Sequence, residues 1–212
     1  MNIEQDEYLL KVRFYEDNKP VIQSLEKDMY YLFKYEYVLS LFSLGYYSLF
    51  VEEVDPLIEY VFMHNVQYKK ADTFEELLFF KAASLLNLKR YKDAKGITKQ
   101  LVSINDQPLK YYALLFQCNL YDRISFLARY RLVAIVVILS SSVLFALRWI
   151  LGPKMTSIAQ SVLQTFSILS ISLILIIVLM AWGIGYVTSK TETNRQMNDI
   201  RTRNRKKQKH EN

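Results

Sequence analysis

No residue from Met155 to Ser189 carries a formal charge, and that stretch limits what the chain can be. Within it, Phe166–Val187 (FSILSISLILIIVLMAWGIGYV) is a continuous apolar run. A second run, Leu132–Leu151 (LVAIVVILSSSVLFALRWIL), precedes it with one charge, Arg148, near its far end. A helix needs roughly 20 apolar residues to cross a hydrocarbon core of about 30 Å, and both runs reach that length. A helix buried in a soluble core is ordinarily shorter or carries a polar stripe. The expectation is a transmembrane hairpin over 123–188, with spans at about 132–151 and 166–187. Gly152-Pro153 stops the first helix, since proline cannot continue the hydrogen-bond ladder. Trp149, Trp182 and Tyr186 fall near the ends of the runs, where amphipathic rings favour the interface.

The flanking cations give an orientation. Arg123, Arg129 and Arg131 precede the first run, and Lys190, Arg195, Arg201, Arg203, Arg205, Lys206, Lys207 and Lys209 follow the second, whereas the connecting loop offers Lys154 alone. The positive-inside rule then puts both termini in the cytoplasm, and a bacterial inner membrane suits that arrangement. The acidic first residues, MNIEQDEYLLKVRF, lack the long apolar stretch of a secretory signal. The basic tail, 189–212, is poor in apolar residues and is expected to be disordered beyond its first turns and to touch anionic lipid. Without interleaved aromatics it is a poor nucleic-acid binder. Ser157, Gln160, Ser161, Gln164 and Ser167 share one helical face running into the second span, where they would pack on the first span and its Ser140-Ser141-Ser142. A homo-oligomeric contact or a polar pore lining is the alternative.

Residues 1–122 differ in kind, with 14 Lys/Arg against 18 Asp/Glu. Prolines and glycines are scarce there, which disfavours a turn-rich β-fold. Helical hairpins are expected at roughly 24–44, 46–68, 73–88 and 91–104, followed by a helix from Pro108 that could run into the first span with a bend near 122–125. Asp55-Pro56 also has the look of a helix start, and Asp72 or Thr73 of a cap. Fifteen of the sixteen tyrosines fall at or before position 130, and aromatics at this density usually fill interfaces between helices.

Glu75–Pro108 carries the strongest pattern. Leu78, Ala82 and Leu85 share a face of one helix, and Tyr91, Ala94, Ile97 and Leu101 a face of the next. The turn LNLKRYKDA between them resembles the inter-helix turn of tetratricopeptide repeats, with Ala94 as the small residue of the second helix, Tyr91 as the aromatic before it and Pro108 near the closing proline. Lys81 and Ala82 depart from that pattern. LSLFSLGYYSLF (Leu39–Phe50) is a weaker echo, with Leu49 set 45 residues before Ala94. The resemblance implies an all-α stack of helical hairpins that binds a protein partner in a groove. It further implies that Phe79 and Ala83, standing where the carboxylate-binding version has Lys and Asn, favour an apolar or aromatic ligand. Tyr30 and Tyr37 are candidates for the same surface.

No catalytic pattern emerges. His64 and His210 have no ligand-spaced companions, the lone Cys118 lies in an apolar helical stretch, and there is no phosphate-binding glycine loop or nucleophile elbow. Glu52, Glu53 and Asp55 read as a solvated face, and Glu75-Glu76 as a helix N-terminal turn. The sequence therefore points to a membrane-anchored helical-repeat scaffold without enzymatic activity or cofactor. An oligomeric membrane effector or channel-like component is the alternative.

Overall fold

In a computed structural model the described residues are 3–68, 72–105, 108–128 and 157–211, with scattered helical positions between 135 and 146; side-chain surroundings are described for fewer of them. Among these residues every element is an α-helix: α1 (Ile3–Asp17), α2 (Lys19–Gln23), α3 (Lys27–Ser43), α4 (Tyr47–His64), α5 (Thr73–Asn87), α6 (Tyr91–Ile104), α7 (Pro108–Ala128) and α8 (Ser157–Glu211). The chain divides into two units, one formed by 1–119 with 193–212 and the other by 120–192.

In the first unit α1 packs on α3, α3 on α4, α4 on α5 and α5 on α6. Local chemistry sets the boundaries. Asp72 caps α5 by accepting the Glu75 amide at 3.2 Å. α4 ends four residues earlier than expected, because Asn65 adopts the left-handed conformation (φ 50°) and its amide turns back to the Val61 carbonyl. Asp55-Pro56 starts nothing: Pro56 lies inside α4. The burial of Phe50, Val54, Leu57 and Val61 on one side of α4 outweighs the donor that an exposed proline removes.

The α3–α4 and α5–α6 turns are built alike. The Leu44, Gly45 and Tyr46 amides donate to the Ser40, Phe42 and Leu41 carbonyls at 3.0, 3.0 and 2.9 Å. Leu88, Lys89 and Arg90 donate to Ser84, Leu86 and Leu85 at 2.9, 3.0 and 2.8 Å. Both are Schellman closures with the left-handed residue after the helix, Gly45 at φ 79° and Lys89 at φ 62°. The register between the hairpins is therefore 44 residues, as from Gly45 to Lys89, and not the 45 expected, so Phe50 rather than Leu49 corresponds to Ala94. The burial pattern agrees: Val38 and Ala82, Leu41 and Leu85, Phe50 and Ala94, Val54 and Thr98, Leu57 and Leu101 are all at most 2% exposed. The small residue of the second hairpin is thus a phenylalanine in the first. At Ala94 the space is shared with buried Cys118 from α7. Lys89 holds a conformation that costs a side-chain-bearing residue about 1 kcal/mol. Lys89→Gly is expected to raise the unfolding free energy by about that amount, checked by denaturant titration.

α7 stays helical through residues 122–125, where a bend was expected. α8 is helical as far as Glu211, so the basic tail is not the disordered segment its composition suggests. From Thr193 onward it belongs to the first unit. Met197 is 5% exposed in a cluster with Leu78, Leu101, Tyr111 and Leu115, with Ile200 against it. Buried Asn119 donates to Thr193 Oγ1 at 2.8 Å. Asn204 donates to the Ser103 carbonyl at 3.2 Å.

In the second unit Arg123 pairs with Glu192 at 2.7 Å. The described large apolar side chains from Phe166 to Val187 are all exposed, from 41% at Tyr186 to 66% at Phe166. Among the described residues no helix is long and apolar enough to cross a membrane. Most of 132–151 lies outside those residues, as do the side chains at 167, 170, 171, 173, 174, 177 and 181.

Candidate partner-binding groove

Helix α1 was not anticipated, and it creates an apolar concavity in the first unit. Its residues Leu10, Phe14 and Tyr15 face Phe33 and Tyr37 of α3 across a groove of about 380 Å³. Leu10 is 65% and Phe14 53% exposed, and the Phe14 and Phe33 rings lie 6.2 Å apart. Exposed apolar surface lining a concavity with a polar rim is the usual signature of a contact site. The rim here is acidic on balance. Lys11 bridges Glu7 at 2.9 Å and Glu36 at 3.3 Å, and these bonds, Glu7 first, hold its ammonium above the ordinary lysine range. One cation between two carboxylates leaves net negative charge.

Beneath the groove the tyrosines rest on a buried charge. Tyr15 and Tyr37 stack at 4.1 Å. Lys34, its side chain 5% exposed, lies 5.7 Å from each ring centre and pairs with Glu53. In the hairpin register Lys34 occupies the position of Leu78. Glu53 is also 3.9 Å from Lys19, so the expected solvated face of Glu52, Glu53 and Asp55 is divided: Glu53 neutralises a core lysine, Asp55 pairs with Lys81, and Glu52 is exposed. Glu75 and Glu76 do lie in the first turn of α5 and in addition accept bonds, Glu75 from Tyr111 and, at 2.8 Å, from Asn105, and Glu76 from Tyr35 at 3.0 Å.

Several hydroxyls are kept protonated by this packing. Burial first, then neighbouring acids or tyrosines, pushes Tyr15, Tyr35 and Tyr37 up. Tyr68 rises to about 12 chiefly through burial, and Tyr60 to about 12 chiefly through its hydrogen bond to Asp28. A phenol raised in the folded state contributes stability that is complete below the unfolded value of about 10 and is lost as pH climbs toward the folded value. Each such group steepens the loss by about 1.4 kcal/mol per pH unit. The first unit is expected to unfold cooperatively between about pH 10 and 12, with tyrosinate absorbance at 295 nm rising together with loss of helical circular dichroism. Gradual ionisation at about pH 10 with helicity intact would contradict these environments.

The candidate residues from the sequence do not form one surface. Tyr37 is buried as groove floor, and half-buried Tyr30 sits edge-on to Tyr31 at 4.9 Å. Phe79, on α5, lies under the Lys110 ammonium at 4.4 Å and beside Tyr111, and Ala83 is half-buried on the same helix. Leu10, Phe14 and Phe33 were missed, although Leu10 and Phe14 are one helical turn apart. Of the polar face in α8, Ser161 alone has a described side chain, which is exposed; Ser157, Gln160, Gln164 and Ser167 lie outside that set. Of the orienting cations, Arg203 and Lys206 are exposed, while Arg129, Arg131 and the side chains of Arg205 and Lys207 lie outside the described residues. His64 is exposed, its ring 4.6 Å from Tyr60, and no His, Cys, Asp and Glu cluster fit for a metal ion occurs among the described residues. No protein-family model matches the chain, and neither a curated protein nor a solved structure matches it.

Proposed function

We propose that this protein is a membrane-anchored adaptor, a tetratricopeptide-like helical stack held at the cytoplasmic face of a membrane by a two-span hairpin, which takes a protein segment into the α1–α3 groove. The observation that carries the anchor is the charge-free segment of α8. A helix presenting the exposed leucine, isoleucine, valine and phenylalanine side chains described above would leave a large apolar surface in water, at roughly 25 cal/mol for each Å². Lipid removes that cost, and every backbone group is already satisfied within a helix. The groove supports the adaptor reading: an apolar floor suits the apolar face of a partner helix, and the acidic rim suits a basic flank on it.

A photo-crosslinking residue at Leu10 tests this in native membranes. A single adduct with one partner, abolished by Phe14→Glu and absent when the crosslinker stands at exposed Glu59, is the expected result. An adduct of twice the chain's mass would mean self-association at the groove. A chain released by alkaline carbonate without detergent would defeat the anchor.

A further inference from the structure

Charge is strongly polarised along the first unit. Residues 1–64 hold five Lys/Arg against twelve Asp/Glu, whereas 89–104 hold five against one and 193–211 seven against two. The two cationic stretches are far apart in sequence, yet α6 and α8 meet. Asn204 of α8 donates to Ser103 of α6 at 3.2 Å, and a groove of about 470 Å³ lies between them, with Lys99 contributed by α6 and Arg203 by α8. Gln100, Ser103, Gln196 and Asn204 supply neutral polar groups to its walls, and Asp199 is the acid among its described lining residues. α6 buries Ala94, Thr98, Leu101 and Val102, which leaves Lys92, Lys95 and Lys99, spaced by three and four, on another face.

We infer that this composite cationic face docks on the anionic headgroups of the membrane in which the chain is anchored, with a headgroup phosphate seated between Lys99 and Arg203. The inference rests on the membrane reading above and adds a lipid class and a site to it. Two observations select lipid as the occupant. The face is cationic while the opposite end of the helical stack is acidic, so an anionic plane attracts one end and repels the other. The face also follows the charge-free segment closely in sequence: Lys190 comes directly after that segment, and Gln196 is nine residues beyond Val187. Guanidinium and ammonium differ usefully here, the first gripping two phosphate oxygens and the second acting as a point charge.

The full chain is reconstituted in nanodiscs with a fluorophore on Gly96→Cys, an exposed position of α6 where a Cβ meets nothing within 4 Å. Quenching by a headgroup spin label should be at least about twofold greater in phosphatidylglycerol discs than in phosphatidylcholine discs. That difference should vanish in about 0.5 M salt, as screened contacts do, and in Lys99→Glu/Arg203→Glu. The milder Lys99→Gln/Arg203→Gln, at exposed positions that leave the helices intact, should reduce it with the melting temperature unchanged. Equal quenching in both lipids, or indifference to the charge changes, overturns the inference while leaving the anchor standing. Loss of the difference on adding inorganic phosphate at constant ionic strength identifies a small-anion site and overturns it too. Failure of the chain to enter discs removes the membrane reading and this inference with it.

Discussion

Glu53→Ala is expected to destabilise the first unit by about 3 kcal/mol, because it leaves the Lys34 ammonium inside the core with no opposing charge. For a domain of this size that corresponds to a fall of roughly 10 °C in melting temperature. Lys34→Leu should behave in the opposite way. It installs the residue type that the second hairpin carries at the equivalent position, Leu78, and it leaves Glu53, a quarter exposed and 3.9 Å from Lys19, with water and a second cation. Replacing a buried pair with well-packed apolar groups is commonly neutral or stabilising. The double variant Lys34→Leu/Glu53→Ala should therefore recover most of what Glu53→Ala loses, a coupling that a thermodynamic cycle over the four proteins reads directly. If Glu53→Ala and Lys34→Leu lost equal stability, the pair would be a net stabilising contact rather than a neutralised liability.

The second large effect concerns the return of α8. Met197→Asp should cost several kcal/mol, since it puts an unpaired carboxylate among Leu78, Leu101, Tyr111 and Leu115. Met197→Leu, which keeps volume and apolarity, should stay within about 1.5 kcal/mol of the parent. Hydrogen exchange distinguishes the two: with Asp, amides of α6 and α7 should lose protection while those of α1 and α3 keep theirs, because the latter belong to a separate cluster. Uniform loss across α1–α7 would show that Met197 acts through global stability. No loss would show that α8 adds little to the fold.

The helical stack was largely legible in the sequence. Periodicity placed α3, α4, α5, α6 and α7 to within a few residues, Asp72 advertised its cap, and Cys118 is the core residue its apolar neighbours suggested. The failures have separate physical causes. Asp55-Pro56 has the chemistry of a helix start, but the buried stripe through Phe50, Val54 and Leu57 needs an unbroken helix, and packing outweighed the local signal. The hairpin register was off by one residue because Leu49 was set opposite Ala94, where the turn hydrogen bonds put Phe50. The turn hydrogen bonds, not the side chains, carry the repeat. The return of α8 was hidden by charge: Met197 and Ile200 are two apolar residues in a tail whose lysines and arginines dominate any average, and the partners of Met197 lie 82 (Leu115) to 119 (Leu78) positions earlier. The groove was missed with them, because it exists only once α1 is laid against α3, a pairing that no periodicity specifies.

That the first unit is assembled from 1–119 and 193–212 has a bearing on biosynthesis. A ribosome passes Leu115 long before it reaches Met197, and all of 120–192 must be translated in between. Until then the patch formed by Leu78, Leu101, Tyr111 and Leu115 lacks its final cover, so the nascent chain presents it to solvent or to a chaperone. The first unit closes last, after all of the second has been made.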